Sequence, residues 1–203
     1  RQREDNRAQF RCYPSRPLPI AIREYAPGAD LVLNGRVYRS RGVTLNWQLP
    51  AGVPDPNQIQ ALRVAWRCKH CGTTGTSPAF RGACPECGSI DLRQQRYLQP
   101  AGFAVDLAQE LSNDISHPIY LSFQAPWITP SGGTWVGLPA RQLGRYRYSS
   151  RGHLFHWSPG LHHAGYAICL HCGRAEAETQ APHGNQPGQL PAGMQGHWRL
   201  LGG

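Results

Sequence analysis

Short apolar runs separated by turn residues dominate the chain, and a helical rhythm is rarely sustained. In "LVLNGRVYRSRGV", Leu31-Val32-Leu33 and Val37-Tyr38 flank Asn34-Gly35. Asn-Gly accepts the positive φ angles of a two-residue turn, so this pattern predicts a β-hairpin. Ala26-Pro27-Gly28 marks another turn just before it. "LRVAW" leads as a strand into a cysteine-rich stretch, and "RQQRYLQPAGFAVDL" beyond it reads as strand, turn and strand. Helical signals are sparse. Asp55-Pro56 ahead of "NQIQALR" offers an N-cap and a first-turn proline for one short helix, and "LAQEL" suits a single helical turn. From Ile115 onward, "APWITPSGGTW" and "HWSPG" cut the sequence into short strands and loops. The expected fold is mainly β with few short helices, a minor α+β character, and no internal repeat.

Composition agrees, since 23 Gly and 18 Pro among 203 residues favour turns. No apolar run approaches the roughly 18 residues of a membrane span, and no secretory signal opens the chain. The expectation is a cytoplasmic protein without membrane contact. The sequence begins Arg1-Gln2-Arg3 without methionine, as a piece excised from a longer chain would. The organisation read from these signals has five parts. Residues 1–17 are a polar arm or linker and 18–65 a β-rich segment with the hairpin. Residues 66–98 form a cysteine-rich module, 99–178 a β-rich basic and aromatic segment, and 179–203 a Pro/Gly-rich tail that is cut short.

The chemistry is concentrated in cysteine pairs. "CKHCGTTGTSPAFRGACPECG" sets Cys68 and Cys71, then Cys84 and Cys87, as two CxxCG motifs. Two residues between thiolates let one tight turn aim both sulfurs at one ion, and the glycine frees the backbone to turn its amides toward sulfur. Two such knuckles on facing hairpins form a closed, tetrahedral zinc ribbon. Disulfides are disfavoured in a chain without export signals, and a redox CxxC lacks its βαβ setting. With all four positions filled by protein, a Zn²⁺ ion there is structural. His70 lies between ligands and is expected in solvent.

A third pair, Cys169 and Cys172 in "CLHCG", stands without partners in sequence. His162, His163, His183 and His197 are candidates to complete a second site, whereas His171, between the two cysteines, is badly placed to share their ion. Ligands beyond Gly203, or a metal-free pair, are the other readings. Cys12 is distant and reads as a lone thiol.

Charge adds a second theme. The net charge is +9, and Lys69 is the only lysine among the basic residues. Between Ile115 and Ala175 there is no Asp or Glu, while Arg141, Arg145, Arg147, Arg151 and Arg174 fall inside. In "RQLGRYRYSSRGHLFHW" the first four of these interleave with Tyr146 and Tyr148. On a strand, alternation puts Arg145 and Arg147 on one face and both tyrosines on the other. Arginines can pair with phosphates while aromatic faces stack on bases. The same pattern also suits a solvated edge over a core, or a protein interface.

Enzyme motifs are missing. A GxxxxGK[ST] phosphate loop is impossible when the only lysine is Lys69, inside a knuckle. HExxH is absent, and no His-x-Glu precedes Pro-Cys-x-x-Cys. No catalytic role is expected for this stretch, although an independent zinc hydrolase is kept as a distant alternative.

Taken together, "REYAPGADLVLNGRVYRSRGV", the paired knuckles, "YLQPAGFAVDL" and "HLFHWSPGLHHAGYAICLHCGRAEAE" resemble the MrfA-like zinc-binding region of large bacterial DEAD/DEAH-box helicases. The likeness is greatest to the helicase subunits of Druantia-type antiphage defence systems. It implies a zinc ribbon set in a β-rich accessory domain, and a parent that hydrolyses ATP and translocates on DNA, with motor domains upstream of Arg1. It implies metal-binding roles for Cys169 and Cys172. In such relatives further ligands follow a His-x-x-Leu stretch, which "HWRLLGG" resembles before the chain stops. The partners implied are nucleic acid, expected to be DNA, the motor domains, and a partner subunit of a defence or repair complex. Two function classes follow: a module that guides nucleic acid beside a motor, or a platform that docks a protein partner.

Overall fold

The Asn34-Gly35 turn forms with both residues at positive φ (51° and 71°), and the strands on either side pair in antiparallel register, with Val32 opposite Val37. The computed structural model describes residues 14–45, 61–106, 111–122, 124–179 and 191–197. In chain order its elements begin with helix α1 (Leu18–Glu24), then β1 (Asp30–Leu33), β2 (Arg36–Thr44) and β3 (Arg63–Cys68). β4 (Thr74–Ser77), β5 (Leu92–Tyr97), β6 (Gly102–Val105), β7 (Trp127–Pro130) and β8 (Trp135–Gly137) follow. The last strands are β9 (Arg145–Arg147), β10 (Gly152–Phe155), β11 (Tyr166–Ile168) and β12 (Ala175–Ala177), with 3-10 turns at Arg141–Leu143 and Ala192–Met194. Strands dominate and α1 is the one α-helix among the described residues, so the fold is mainly β. Of the helix anticipated at "NQIQALR", the first four residues lie outside the described residues, but its end is not helical: Ala61 sits in a turn at positive φ and Arg63 already opens β3. Most of "LAQEL" lies outside the described residues, as do Cys12 and His183. Helix α1 carried no capping signal in its sequence; its start is set by Pro17, whose carbonyl accepts from the amides of Ile20 and Ala21. No helix among the described residues is long and apolar enough to cross a membrane.

Two three-stranded sheets organise the molecule. One runs β1-β2-β6 and the other β4-β3-β5, all neighbours antiparallel. β2 is long enough to pair with β1 through its first half and β6 through its second, with a register shift between Ser40 and Gly42 that turns it from one partner to the next. In the second sheet Trp66 lies flat across Gly75, where an added Cβ would meet the indole at 2.6 Å. Two-stranded pairs β7-β10, β8-β9 and β11-β12 surround these sheets.

The core is divided into small clusters. Val43, Ile168 and Ala175 meet Phe103 and Tyr166 between the first sheet and β11-β12. Ala26, Ala29 and Leu121 close the turn after α1. Asp30 ties that corner together. Its carboxylate accepts Nε and Nη2 of Arg39 at 2.8 and 3.0 Å and the Ile119 amide at 3.0 Å. Burial pushes this carboxyl up, but the bonds from Arg39 and Ile119, with the guanidinium charge, reverse that and hold it below its usual value. The ribbon sheet is stitched to β7 by the Thr74 hydroxyl, which meets the Ile128 carbonyl at 3.0 Å and the Thr129 hydroxyl at 2.7 Å.

Candidate metal centres and basic surface

Each cysteine pair is folded by the same short-range bonds. In the first knuckle the Cys68 amide donates to Thr73 O at 2.8 Å and the Gly72 amide to Cys68 O at 3.0 Å. The second repeats this with Cys84 to Ser89 and Gly88 to Cys84, at 2.8 and 2.9 Å. The third repeats it again, with Cys169 to Arg174 and Gly173 to Cys169, both 2.8 Å. Gly72, Gly88 and Gly173 all take positive φ at the same place in their turns. Three copies of one backbone device therefore present three thiol pairs.

Two of these knuckles face each other. The Sγ atoms of Cys68 and Cys87 are 3.6 Å apart, as are those of Cys71 and Cys84, and all four lie within 4.8 Å of one another. A tetrahedral ion with metal–sulfur bonds of about 2.3 Å spaces its sulfurs by about 3.8 Å. The donor set fits zinc in number, element and spacing. Burial pushes the Cys71 thiol up, while the Thr73 hydroxyl and amide and the neighbouring cysteines draw it down to about 6. Cys68 and Cys84 are buried, Cys71 is half-buried and Cys87 is exposed, so the centre sits at the edge of the ribbon. His70 stays exposed beside it.

The third knuckle gains a histidine from 25 residues away. His197 Nδ1 stands 3.4 Å from Cys172 Sγ, and Cys169, Cys172 and His197 hold their ligand atoms within 4.8 Å. A tetrahedral zinc with bonds of about 2.3 Å to sulfur and 2.0 Å to nitrogen separates two such ligands by about 3.5 Å. The segment carrying His197 is docked by Met194, fully buried against Ala167 and Cys169. Arg174 Nε donates to Gly193 O at 2.9 Å, and Arg174 also faces Asp106 and Glu176. This knuckle is wired into the first sheet as well: the Val43 amide donates to Gly173 O at 2.8 Å.

The other histidine candidates are elsewhere. His163, at positive φ, meets Ser122 Oγ and Gln124 Nε2 through its two ring nitrogens, both at 3.3 Å. His162 is exposed on the same turn, and His171 is exposed between its cysteines. His197 was one candidate among four in the sequence. What selects it is the Met194 anchor, for which the sequence gives no periodic signal.

The basic and aromatic segment forms the β8-β9 hairpin and its flanks. Arg145 and Arg147 share one face, as alternation requires, and their guanidinium carbons lie 4.3 and 5.0 Å from the Trp135 ring centroid. Arg147 is committed further, to Glu86 at 3.3 Å and the Pro130 carbonyl at 3.3 Å, with its side chain 9% exposed. It ties this hairpin to the second knuckle rather than to solvent. Tyr146 and Tyr148 point outward, 52% and 77% exposed. Arg151 is exposed too, and Arg141 opens the 3-10 turn before β9.

A partial likeness to a known protein covers half of the chain. Over 104 residues, half of its length, it is 29% identical to Druantia protein DruE of Escherichia coli (strain UMEA 4076-1). The matched part is 6% of DruE, so the chain spans a small fraction of that relative. The likeness to DruE supports a relation to defence systems and agrees with the Druantia side of the motif resemblance. No family model matches, so the MrfA-like assignment rests on the motifs alone. No solved structure matches either.

Proposed function

We propose that this chain is a zinc-stapled accessory module of a large ATP-dependent DNA helicase of antiphage defence, and that it holds nucleic acid beside the motor without performing catalysis itself. The observation that carries this reading is the outward stance of Tyr146 and Tyr148 beside Arg145, which is stacked on Trp135. Large aromatic rings at half or greater exposure cost solvation and are suited to stacking on bases, while neighbouring arginines pair with phosphates. The partial likeness to DruE supports the defence setting. In the four-cysteine centre zinc would be structural: bound, it neutralises clustered thiolates and fixes the chain segments that carry them. In the second centre Cys169, Cys172 and His197 would supply three of its ligands.

Because Arg147 is engaged by Glu86, Arg141, Arg145 and Arg151 remain for phosphate. These three contacts are then expected to contribute about −2 to the slope of log K for a single-stranded oligonucleotide against log salt. Replacing Tyr146 and Tyr148 by alanine should weaken binding by about 1–3 kcal/mol per lost stack. Fluorescence anisotropy at several salt concentrations measures both, and an affinity indifferent to salt would sink the reading.

Metal content offers a second check. The chain is expected to carry two zinc ions by elemental analysis, and His197→Ala to carry one, with the ribbon still loaded. Two ions retained in H197A would remove the histidine from the second centre.

One observation favours a protein platform instead. Ile128 and Leu154 face each other across β7 and β10 and are 64% and 61% exposed. Loss of a partner subunit on changing both to serine, with oligonucleotide binding unaltered, would select that reading.

A further inference from the structure

The ribbon sheet carries a basic face that the cysteine motifs conceal in sequence. Register places Arg67 directly opposite Arg93, and Arg63 opposite Tyr97, so these four side chains share one face of β3 and β5. Like charges directly opposite one another destabilise a strand pair. Among the described residues no acid pairs with Arg63, Arg67 or Arg93; Asp91, next along the edge, is paired with Lys69 at 2.9 Å. A sheet that keeps this arrangement is organised for an anion arriving from outside.

The same face runs into a cleft of about 430 Å³ whose lining includes Arg93, Tyr97, Phe103, Phe155, Trp157 and Tyr166. Its size lies within the roughly 300–1,000 Å³ typical of small-ligand sites. The Arg93 guanidinium lies 5.6 Å from the Trp157 ring, and Tyr97 meets Phe155 edge-on at 4.8 Å. Trp157 Nε1 is shielded from solvent and has no hydrogen-bond partner. Glu178 also lines the cleft, but its bonding is already engaged. Flat aromatic walls and arginines at the approach suit a planar ring attached to a phosphate, whereas the shielded Trp157 Nε1 is not offered to the cleft.

We propose that this cleft takes one unstacked base of a single-stranded nucleic acid, with the adjoining phosphates on Arg93, Arg67 and Arg63. The site is distinct from the Tyr146 and Tyr148 surface and rests on the nucleic-acid reading given above. A duplex, whose bases stay stacked and paired, would not enter.

Photo-crosslinking of the whole chain to a thymidine oligonucleotide carrying 4-thiothymidine tests this without any variant. Trypsin separates the two surfaces, because Arg145, Arg147, Arg151 and Arg174 leave Tyr146, Tyr148 and the stretch 152–174 on different peptides. Adducts on 152–174 are expected. Replacing Arg67 and Arg93 by alanine should make the salt slope shallower by about 1.4, and Trp157→Leu should weaken binding roughly 5- to 150-fold, as a lost base stack does. Since Trp157 also packs on Trp127, the exposed arginine pair decides if the tryptophan variant fails to fold. Adducts confined to the Tyr146 and Tyr148 peptides, with an unchanged slope in the arginine variant, would overturn the cleft while leaving the broader reading intact. They would instead point to a protein side chain as occupant. No adduct and no retention of any oligonucleotide would overturn both.

Discussion

Cys84→Ser is expected to release zinc from the ribbon and unfold residues 66–98, with the second centre still loaded. The ribbon has almost no core apart from its ligands. Its buried cluster is Trp66, Cys68 and Cys84, supported by Cys71 and Leu92. Zinc binding supplies roughly 10–16 kcal/mol to small modules of this kind, comparable with the whole stability of an ordinary domain. Serine keeps the size of the side chain but offers a far weaker ligand, so the loss falls on the metal rather than on packing. Elemental analysis should show one zinc per chain instead of two. Hydrogen exchange should show the Cys68 and Cys84 amides, bonded to Thr73 O and Ser89 O in the native knuckles, losing protection together. Retained protection in protein stripped of metal would mean that the sheet stands on its own hydrogen bonds.

Asp30→Ala should cost about 3–5 kcal/mol, and the cause is electrostatic as much as steric. Asp30 is 6% exposed and receives three bonds, two from Arg39 and one from the Ile119 amide. Removing the carboxylate leaves a partly buried guanidinium and an amide without their acceptor, which is costlier than never having formed the pair. For a chain of this length the melting midpoint should fall by roughly 6–20 °C. The pH dependence follows from the same contacts. Arg39, Ile119 and the local charge hold the folded-state pKa of Asp30 below its unfolded value. Its contribution is therefore fully present above about pH 4 and is lost as the pH falls through the folded value. The wild type should lose stability on acidification more steeply than D30A. Parallel melting curves for the two proteins between pH 6 and pH 3 would refute the role assigned to Asp30.

How far the sequence anticipates these features depends on how local their causes are. The Asn34-Gly35 hairpin and the CxxCG knuckles are settled within six residues by turn geometry, and both are legible. The strand at "LRVAW" is legible as a short apolar run leading into the first knuckle, and its Val64-Ala65-Trp66 stretch is buried without alternation. Alternation reads the shared face of Arg145 and Arg147 correctly. It could not show that Glu86, 61 residues away, captures Arg147. The closure of the second centre is equally remote. His197 reaches Cys172 because Met194 fills a hole beside Ala167 and Cys169, and a single methionine in a Pro/Gly-rich tail leaves no pattern. The Arg67–Arg93 juxtaposition is a matter of strand register, set by pairing across 26 residues. Helix α1 has a first-turn proline but no side-chain cap, and at seven residues it is too short for a sustained helical period to mark it in the sequence.

The three knuckle glycines, alike in sequence and backbone, should differ in what natural variation they tolerate. At Gly72 and Gly88 an added Cβ meets nothing within 4 Å, so the only demand is the left-handed backbone, which asparagine can also adopt. At Gly173 the Cβ would run into the Val43 carbonyl, with Leu45 close behind. No side chain fits there. Among homologous chains, an occasional asparagine is compatible with the first two positions, while the third is closed to every residue but glycine for as long as β2 lies against the knuckle.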